Sequence, residues 1–341
     1  MEKALSSSSL LSGVRRAPLL MYGLLLIALS FAMYLTGVML GPLRIILRLD
    51  SELLAFNEWI VWYSGVPMLL GILFAFVDLF LFFPDKRETN GALLNTPSDQ
   101  NVTVALTAYN DEESIADAVK DFLAHPRVGT VIVVSNNSSD RTLARAAEAG
   151  ALTFNENNQG YGHCVHRCLA EAVRLGETDL IVLCEGDRTF RAYDLDKLLA
   201  YAPHGDVVNG TRTVEGLREY DTQLTTFMYY GNLFVGKLLE AKHLGQSTIT
   251  DVGTTYKLCR RSAVERVLPL LRPDRVNLEF NAHFLDTALS ERCRIIECPI
   301  TFHARVGFSK GGNVNNGRAL LVGIRMIAGI VFGWPKTPAR H

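Results

Sequence analysis

Hydrophobic and polar positions divide the chain into a strongly apolar N-terminal part and a longer, alternating remainder. No charged residue occurs from Ala17 to Leu43, and a second uncharged run extends from Trp59 to Val77 and continues after Asp78. As a helix, the first run would reach about 40 Å, more than the ~30 Å hydrocarbon core of a membrane requires. A cleaved signal peptide is a poorer explanation, because the run is long and a second one follows. We therefore predict two transmembrane helices, at about residues 17–41 and 59–83.

The cations beside these runs predict their orientation. The flanking cations are Lys3, Arg15 and Arg16 before the first helix, and Lys86 and Arg87 after the second. The loop between the helices carries arginines that nearby acidic residues offset. Because cytoplasmic loops carry an excess of Lys and Arg, both termini are expected in the cytoplasm. The pattern predicts a multi-pass protein of an inner or plasma membrane, with everything after residue 84 cytoplasmic.

Short β-branched runs alternate with helical patterns in the remainder. The predicted strands are Val102–Leu106, Val131–Val134, Thr153–Phe154 and Leu180–Leu183. The predicted helices are Glu113–Leu123, Arg141–Ala149 and one near His163–Arg174. Buried strands that alternate with helices predict an α/β fold with a largely parallel sheet covered on both faces.

Composition narrows the function classes. The 341 residues include 34 Lys plus Arg and 35 Asp plus Glu, so the formal net charge is −1. This balance argues against nucleic acid as the main partner, since binding phosphate chains usually needs a basic excess. Hydrophobic residues make up 48% of the chain, and the mean hydropathy is +0.15. Neither value suits a disordered chain, and a purely cytosolic globule is disfavoured.

The cysteines suggest a reducing compartment and no structural metal. All six follow residue 84, in the part expected to be cytosolic, where disulfides are rare. His163, Cys164, His166 and Cys168 cluster closely, but no second ligand pair with suitable spacing follows. We interpret these cysteines as small buried hydrophobes rather than zinc ligands.

Polar clusters follow three of the predicted strands. They are Tyr109–Glu113, Ser135–Asp140 and Glu185–Asp187. Ligands of parallel sheets bind where the strands end at their carboxyl edge. Two carboxylates on a turn opened by Gly186 can hold Mg²⁺ or Mn²⁺, which completes its shell with water and substrate phosphates. An acidic turn without a metal is the alternative for that cluster alone; three clusters at one edge favour the metal.

Six segments in order resemble the motifs of one enzyme family. Thr107–Glu113 resembles Pro-x-Tyr-Asn-Glu, Val133–Thr142 resembles Val-Val-Asp-Asp-Gly-Ser-x-Asp-Gly-Thr, Glu185–Asp187 resembles Asp-x-Asp, Asn209–Arg212 resembles Gly-Ser-Arg, Asp251–Lys257 resembles Asp-x-x-Ser-Gly-Phe-Lys, and Arg305–Lys310 resembles Arg-x-x-Gly-x-Ser-Lys. The chain thus resembles family 2 glycosyltransferases with the GT-A fold, specifically the polyprenyl-phosphate glycosyltransferases such as dolichyl-phosphate mannose synthases. The likeness covers roughly residues 100–312.

The resemblance implies roles for particular residues. Glu185 and Asp187 would bind Mg²⁺ or Mn²⁺ and, with Arg212, would be catalytic. The residues implied for the donor nucleotide are Thr107, Tyr109, Asp111, Ser135, Asn136, Asp140 and Gly160. The residues implied for the acceptor phosphate are Arg212, Arg305, Ser309 and Lys310. The implied fold is a Rossmann-like GT-A domain.

The sequence departs from the family pattern at several of these positions. Glu185 replaces the first aspartate of the acidic motif, and Ser135 and Asn136 replace an acidic pair. Asp111 shortens the usual glutamate, and Thr107 replaces a proline. The spacing after the arginine of the last motif is one residue shorter, and the apolar helices precede the catalytic domain instead of following it.

The resemblance implies inverting transfer of a monosaccharide from a nucleotide sugar to an undecaprenyl or dolichyl phosphate on the cytoplasmic leaflet. Two further apolar stretches, Phe227–Leu239 and Arg318–Trp334, are interpreted as helices in the membrane interface. The expected organisation is a cytoplasmic tail at 1–16, two transmembrane helices within 17–84, a linker at 85–100, the GT-A domain at 101–312, and an interfacial amphipathic helix and tail at 313–341. The alternatives are a transferase for another lipid or glycan acceptor, and a catalytically silent membrane subunit. The sequence leaves the sugar, the base and homo-oligomerisation open.

Overall fold

A computed structural model of the protein describes residues 17–48, 50–83, 101–220, 222–307 and 316–335. The expected N-terminal tail at 1–16 and the linker at 85–100 lie outside these residues. The chain divides into two units: one contains the N-terminal helices together with residues 241–245, and the other contains the remainder.

The N-terminal unit is built from long apolar helices. Its helices are α1 (Leu19–Ile46), α2 (Asp50–Tyr63) and α3 (Gly65–Phe76), and a π-helical segment (Val77–Phe82) follows α3. Two stretches, Leu19–Ile46 and Leu53–Phe82, are helices long and apolar enough to cross a membrane. The expectation of two apolar N-terminal helices is therefore confirmed.

Small residues let the two long helices approach closely. A Cβ atom added to Gly23 would lie 2.6 Å from the carbonyl oxygen of Gly71, and one added to Gly71 would lie equally close to the carbonyl oxygen of Gly23. Ser30 donates a 2.6 Å hydrogen bond to the carbonyl oxygen of Ser64, between α2 and α3. Close backbone approach at small residues is the usual way in which helices pack without a hydrophobic driving force.

Asp78 is the acidic residue that interrupts the second uncharged run. Its side chain is fully buried in the helix pair. It accepts a 2.7 Å hydrogen bond from the backbone N–H of Leu20, in the first turn of α1. A carboxylate there accepts a hydrogen bond from one of the N–H groups that have no partner within the helix at its N-terminus. The positive end of the helix dipole stabilises its negative charge.

The second unit is organised around one mixed sheet. Its strands are β1 (Val102–Ala108), β2 (Val128–Ser135), β3 (Leu152–Asn155), β4 (Leu180–Glu185), β5 (Val207–Thr211), β6 (Lys257–Arg260) and β7 (Ile295–Pro299). The seven-stranded sheet has the order β3-β2-β1-β4-β6-β5-β7. β6 runs antiparallel to β4 and β5, and the other pairs are parallel. The predicted α/β fold is confirmed, and β6 is the exception to the parallel arrangement.

Helices cover the sheet and bury its β-branched residues. The helices of this unit are α4 (Ile115–Leu123), α5 (Thr142–Glu148), α6 (Tyr161–Leu175), α7 (Leu195–Tyr201), α8 (Thr226–Lys242), α9 (Arg261–Val267), α10 (Phe280–Ser290) and α11 (Asn316–Phe332). Val104 and Leu106 of β1 share a buried cluster with Ile115 and Phe122 of α4. α6 packs against β1, β2 and β4. The core therefore fixes the carboxyl ends of β1, β2 and β4 side by side.

The cysteines belong to this packing. All six are free and buried. Cys164 and Cys168 of α6 direct their thiols at backbone carbonyl oxygens of β2 and β1, at 3.3 and 3.5 Å. Among the residues that the structure describes, no group of three or more His, Cys, Asp and Glu side chains could hold a metal ion. The burial of all six cysteines agrees with their interpretation as small buried hydrophobes.

Two helices of this unit expose apolar side chains. On α8 these are Phe227, Tyr230 and Phe234. On α11 they are Leu320, Leu321 and Ile324. The two helices coincide with the stretches expected at a membrane interface, and that role stays a prediction.

Candidate active site

The predicted polar clusters meet at one edge of the sheet. In the parallel ladders, Ala108 of β1 pairs with Ser135 of β2, and Thr107 pairs with Glu185 of β4. The three strands therefore end together. The chain moves from β1 to β2 and β3 on one side and to β4 on the other, so this edge is a point where the strand order reverses. Ligands of open α/β sheets bind at such points.

Glu185, Gly186 and Asp187 form the turn that leaves β4. Gly186 donates its N–H to the carbonyl oxygen of Thr107 at 2.9 Å, and a Cβ atom there would lie 2.4 Å from Cδ1 of Ile115. A side chain at position 186 would therefore displace the end of the Ile115 side chain, whereas glycine leaves it in place. The turn holds both acidic side chains at the strand end. Burial and the charge of Asp187 raise the pKa of Glu185 to about 7. Two carboxylates that oppose each other's ionisation in this way form a site that a cation would stabilise.

Arg305 lies between two predicted site carboxylates. Its Nη1 is 3.1 Å from Oδ2 of Asp187, and its Nη2 donates to Oδ1 of Asp111 at 2.7 Å. The other oxygen of Asp187 accepts hydrogen bonds from the backbone N–H and the hydroxyl of Thr189, at 3.1 and 2.6 Å. The structure thus joins a predicted acceptor-side arginine to the predicted metal and donor residues.

Arg212 has a different carboxylate partner. Its Nε and Nη2 donate to the two oxygens of Asp251 at 2.7 and 2.8 Å, and its guanidinium lies 5.1 Å from the ring centroid of Phe302. Burial acts to raise the pKa of Asp251, but the charge and hydrogen bonds of Arg212 outweigh it and hold the pKa below 3.8. The forked contact fixes the plane of the guanidinium.

The donor-side residues of β1 and the following turns form one network. Asp111 accepts the backbone N–H of Tyr109 at 2.9 Å, and its own N–H donates to the hydroxyl of Thr142 at 2.8 Å. Asp140 accepts the N–H of Thr142 at 3.0 Å. The ring of Tyr109 stays partly exposed, whereas Thr107 and Asp111 are buried. The structure therefore brings Thr107, Tyr109, Asp111 and Asp140 together, with Tyr109 accessible to a ligand.

Ser135, Asn136 and Gly160 lie in the adjoining turns. The hydroxyl of Ser135 is fully buried and donates to Oγ of Ser138 at 2.7 Å. Asn136 donates from Nδ2 to the carbonyl oxygen of Asn158 at 2.8 Å and accepts the N–H of Gly160 at 2.7 Å. These contacts shape the turns after β2 and before α6, and the nucleotide-binding role of Ser135, Asn136 and Gly160 stays a prediction. Gly160 has φ of +145°, which favours glycine.

Three further residues are not part of this network, and two of them were predicted to bind the acceptor phosphate. Ser309 and Lys310 lie outside the residues that the structure describes. Glu279, directly before α10, is buried, and its Oε1 lies 3.5 Å from Nη1 of Arg325 in α11. This contact joins the start of α10 to α11.

Sequence reasoning missed a layer of polar residues behind the acidic turn. Thr255 donates to Oε1 of Glu185 at 2.6 Å. Tyr161 at the start of α6 and Asn281 of α10 contact Thr255 in turn. Glu297 of β7 accepts the N–H and hydroxyl of Thr250 and the N–H of Asp251 at 2.9, 2.6 and 3.1 Å. The signal for Thr255 was present, because it lies within the Asp251–Lys257 motif; Tyr161, Asn281 and Glu297 had no comparable signal.

Comparison with known proteins supports a glycosyltransferase domain. Residues 103–268 match the family model described as Glycosyl transferase family 2. The low-salt glycan biosynthesis hexosyltransferase Agl6 of Haloferax volcanii is 28% identical over 66% of this chain and 56% of its own length. The chain thus spans little more than half of that relative. A dolichyl-phosphate hexose transferase of the same organism is 26% identical over 62% of this chain and 86% of its own length.

A solved structure supports the fold. Glucosyl-3-phosphoglycerate synthase from Mycobacterium tuberculosis, in complex with Mn²⁺, uridine diphosphate and phosphoglyceric acid, aligns with a TM-score of 0.50. The alignment covers 70% of this chain and 80% of that protein at 17% identity. At this identity the likeness concerns the fold alone, and it agrees with a mixed α/β sheet of the GT-A type.

Proposed function

We propose that the domain containing residues 103–268, which match the Glycosyl transferase family 2 model, transfers a monosaccharide from a nucleotide sugar to a polyprenyl phosphate. The observation that carries this proposal is the meeting of Asp187 and Arg305 at the carboxyl edge of the sheet. Carboxylates there suit a cation that binds a diphosphate, and an arginine beside them suits an anionic acceptor. The dolichyl-phosphate hexose transferase relative supports the acceptor class.

Glu185 and Asp187 are the residues that would hold Mg²⁺ or Mn²⁺. Their carboxylates leave the same strand end, and burial and the Asp187 charge raise the pKa of Glu185 to about 7, so a cation would offset an unfavourable pair. Oxygen donors fit these hard cations, which take one or two carboxylates and complete their shell with water and phosphate oxygens. When bound, such an ion neutralises the charge that develops on the leaving diphosphate. The solved neighbour, which was crystallised with Mn²⁺ and uridine diphosphate, supports this choice.

The protein's own side chains would position the two anionic substrates. A phosphate acceptor is already ionised near neutral pH, so the reaction needs no strong general base. It does need cations that hold the acceptor against repulsion from the donor diphosphate. Arg305 and Arg212 are assigned to this task, because both are held in place by carboxylates and their planar forks match phosphate oxygens. The exposed face of Tyr109 is assigned to the donor nucleotide.

A prenyl acceptor requires a membrane. The two helices that are long and apolar enough to cross one would anchor the enzyme there. The apolar side chains exposed on α8 and α11 would meet the lipid at the interface. We place the catalytic domain on the cytoplasmic leaflet, because the cations that flank the apolar runs favour that side.

The test is transfer from a panel of sugar nucleotides. The full chain in lipid vesicles is supplied with Mn²⁺ or Mg²⁺, UDP-glucose, UDP-N-acetylglucosamine or GDP-mannose, and undecaprenyl or dolichyl phosphate. Formation of a prenyl-phosphate sugar that depends on the divalent ion is the expected result. Transfer only to another lipid or to an oligosaccharide would overturn the acceptor assignment. A folded protein that turns over none of the donors would instead favour a catalytically silent subunit.

A further inference from the structure

A series of hydrogen bonds connects buried polar residues to Glu185 of the acidic turn. Asn281 Nδ2 donates to the hydroxyl of Tyr161 at 2.9 Å, the hydroxyls of Tyr161 and Thr255 are 2.5 Å apart, and Thr255 donates to Oε1 of Glu185 at 2.6 Å. Thr255 and Asn281 are buried. These hydrogen bonds thus join α10, α6 and the segment before β6 to one oxygen of Glu185.

With Glu185 ionised, the donors and acceptors of these hydrogen bonds can be assigned in one direction only. When the hydroxyl of Thr255 donates its single proton to Glu185, it must accept from Tyr161, which must then accept from Asn281. The amide of Asn281 is oriented by its contacts with the carbonyl oxygen of Gly253, at 3.0 Å, and with Nζ of Lys257, at 3.3 Å. Hydrogen bonds linked in this way strengthen one another in a buried setting.

The last two residues of this hydrogen-bond series, Thr255 and Glu185, both differ from the motifs that the sequence resembles. Glu185 stands where that pattern has aspartate, and Thr255 stands where it has glycine. The longer glutamate side chain brings its carboxylate to the threonine hydroxyl, at 2.6 Å. A glycine could not make this contact, and an aspartate would withdraw its carboxylate by one methylene.

We propose that Thr255 is a positioning residue that holds one oxygen of Glu185 and thereby aims the other at the divalent cation. This inference rests on the proposed function, because it assumes that Glu185 and Asp187 hold the cation. Groups that orient metal-binding carboxylates contribute about 10–100-fold to metal affinity. Thr255, Tyr161 and Asn281 would act through Glu185, without touching either substrate.

The alternative explanation is that Thr255 only stabilises the fold. The two roles differ in whether the effect of Thr255 depends on the length of the side chain at 185. The test therefore combines Thr255→Val, which keeps the shape and removes the hydroxyl, with Glu185→Asp, in a double-mutant cycle. Thr103→Val is a matched control, because Thr103 is buried in β1 and its hydroxyl bonds the hydroxyl of Thr178 at 2.9 Å near the opposite end of the strand.

The measurement is the binding of Mn²⁺ to the full chain without substrates. Electron paramagnetic resonance quantifies the free ion and thus gives the binding affinity. We expect Thr255→Val to weaken binding about 10-fold, and Thr255→Ser to recover most of the affinity. Tyr161→Phe is expected to weaken binding in the same direction by a smaller factor. In the Glu185→Asp background, Thr255→Val should change the affinity less than about twofold, because the shorter carboxylate does not reach the hydroxyl. Thermal unfolding of each variant checks that it is folded.

The outcomes separate failure of this inference from failure of the proposed function. If Thr255→Val lowers the Mn²⁺ affinity by the same factor with glutamate and with aspartate at position 185, the positioning role is overturned. Saturable Mn²⁺ binding that Asp187→Asn removes and Thr255→Val leaves intact would overturn it too, while the proposed function stands. A wild-type chain without saturable Mn²⁺ binding would overturn both. If Thr255→Val does not fold, Tyr161→Phe, compared with glutamate and with aspartate at position 185, decides the question by the same measurement.

Discussion

The guanidinium of Arg305 lies 3.1 Å from the carboxylate of Asp187, although the two residues come from distant parts of the chain. The same guanidinium reaches Asp111 at 2.7 Å, so one arginine links the end of β1 to the turn after β4. The exposed fraction of the Arg305 side chain is 15%, and those of Asp111 and Asp187 are 6% and 3%. An interaction so far from water is screened little and depends on the forked geometry.

Replacing Arg305 should impair use of the acceptor. Arg305→Lys keeps the charge but cannot reach two carboxylates with a planar fork, so we expect KM for undecaprenyl phosphate to rise at least about 10-fold. Arg261→Lys is the control, since Arg261 makes a comparable pair with Asp179 on the surface. Initial rates at varied acceptor concentration measure the effect. Full activity of Arg305→Ala with a phosphate acceptor would contradict the assignment.

Removing one carboxylate of the acidic turn should abolish metal-dependent turnover. Asp187→Asn keeps the shape of the side chain and removes its charge, and we expect kcat to fall by roughly 100-fold or more. The measurement is nucleotide release at saturating donor with and without Mn²⁺. Asp179→Asn serves as a control, because Asp179 is a surface residue paired with Arg261. Metal-dependent turnover that survives in Asp187→Asn would remove Asp187 from the metal site.

Introducing the acidic residue of the family pattern at Asn136 should weaken donor binding. The amide of Asn136 donates to the carbonyl oxygen of Asn158 and accepts from the N–H of Gly160. Asn136→Asp keeps the acceptor but sets a carboxylate oxygen against that carbonyl, at a cost of about 1–3 kcal/mol. We expect a higher KM for the sugar nucleotide and a lower melting temperature. Asn155→Asp, at a neighbouring exposed position, should leave both values unchanged.

The buried Lys257 should give the stability a distinct alkaline pH dependence. Burial lowers its pKa from 10.5 to about 8. Between those two pH values the unfolded chain holds this proton and the folded chain has lost it, so stability rises with pH, by roughly 3 kcal/mol over the whole window. Unfolding free energies of the wild type and Lys257→Met, measured from pH 7 to 10.5, should diverge in favour of the wild type. A difference that stays constant with pH would show that Lys257 titrates normally.

Close packing of α1 against α3 should make Gly71 intolerant of a side chain. A Cβ atom there would lie 2.6 Å from the carbonyl oxygen of Gly23, so Gly71→Ala must push the helices apart. We expect a loss of about 1–3 kcal/mol in detergent unfolding experiments. Gly65→Ala lies in the same helix with no atom within 4 Å of the added Cβ. That control should be neutral or slightly stabilising, and equal losses in both variants would contradict the packing argument.

Much of the architecture follows from local sequence patterns, and some of it does not. Strands β1, β2 and β4 were predicted because each is a buried β-branched run followed by polar residues. Strands β5, β6 and β7 were not predicted. β6 holds Lys257 and Arg260, and β5 holds Asn209 and Gly210, so neither forms a plain apolar run. Their strand conformation depends on pairing with neighbours across the sheet, which no local pattern contains.

The sequence by itself determined the long apolar helices, the α/β alternation and the acidic turn at the end of β4. Each of these depends on residues close together in the chain, whose periodicity and burial favour one local structure. Only the tertiary structure decided that Arg305 meets Asp187, that Arg212 is held by Asp251, and that Thr255 supports Glu185. These pairs arise because the strand order brings separate loops to one edge, and a hydrogen bond forms only where that packing sets a donor about 3 Å from its acceptor.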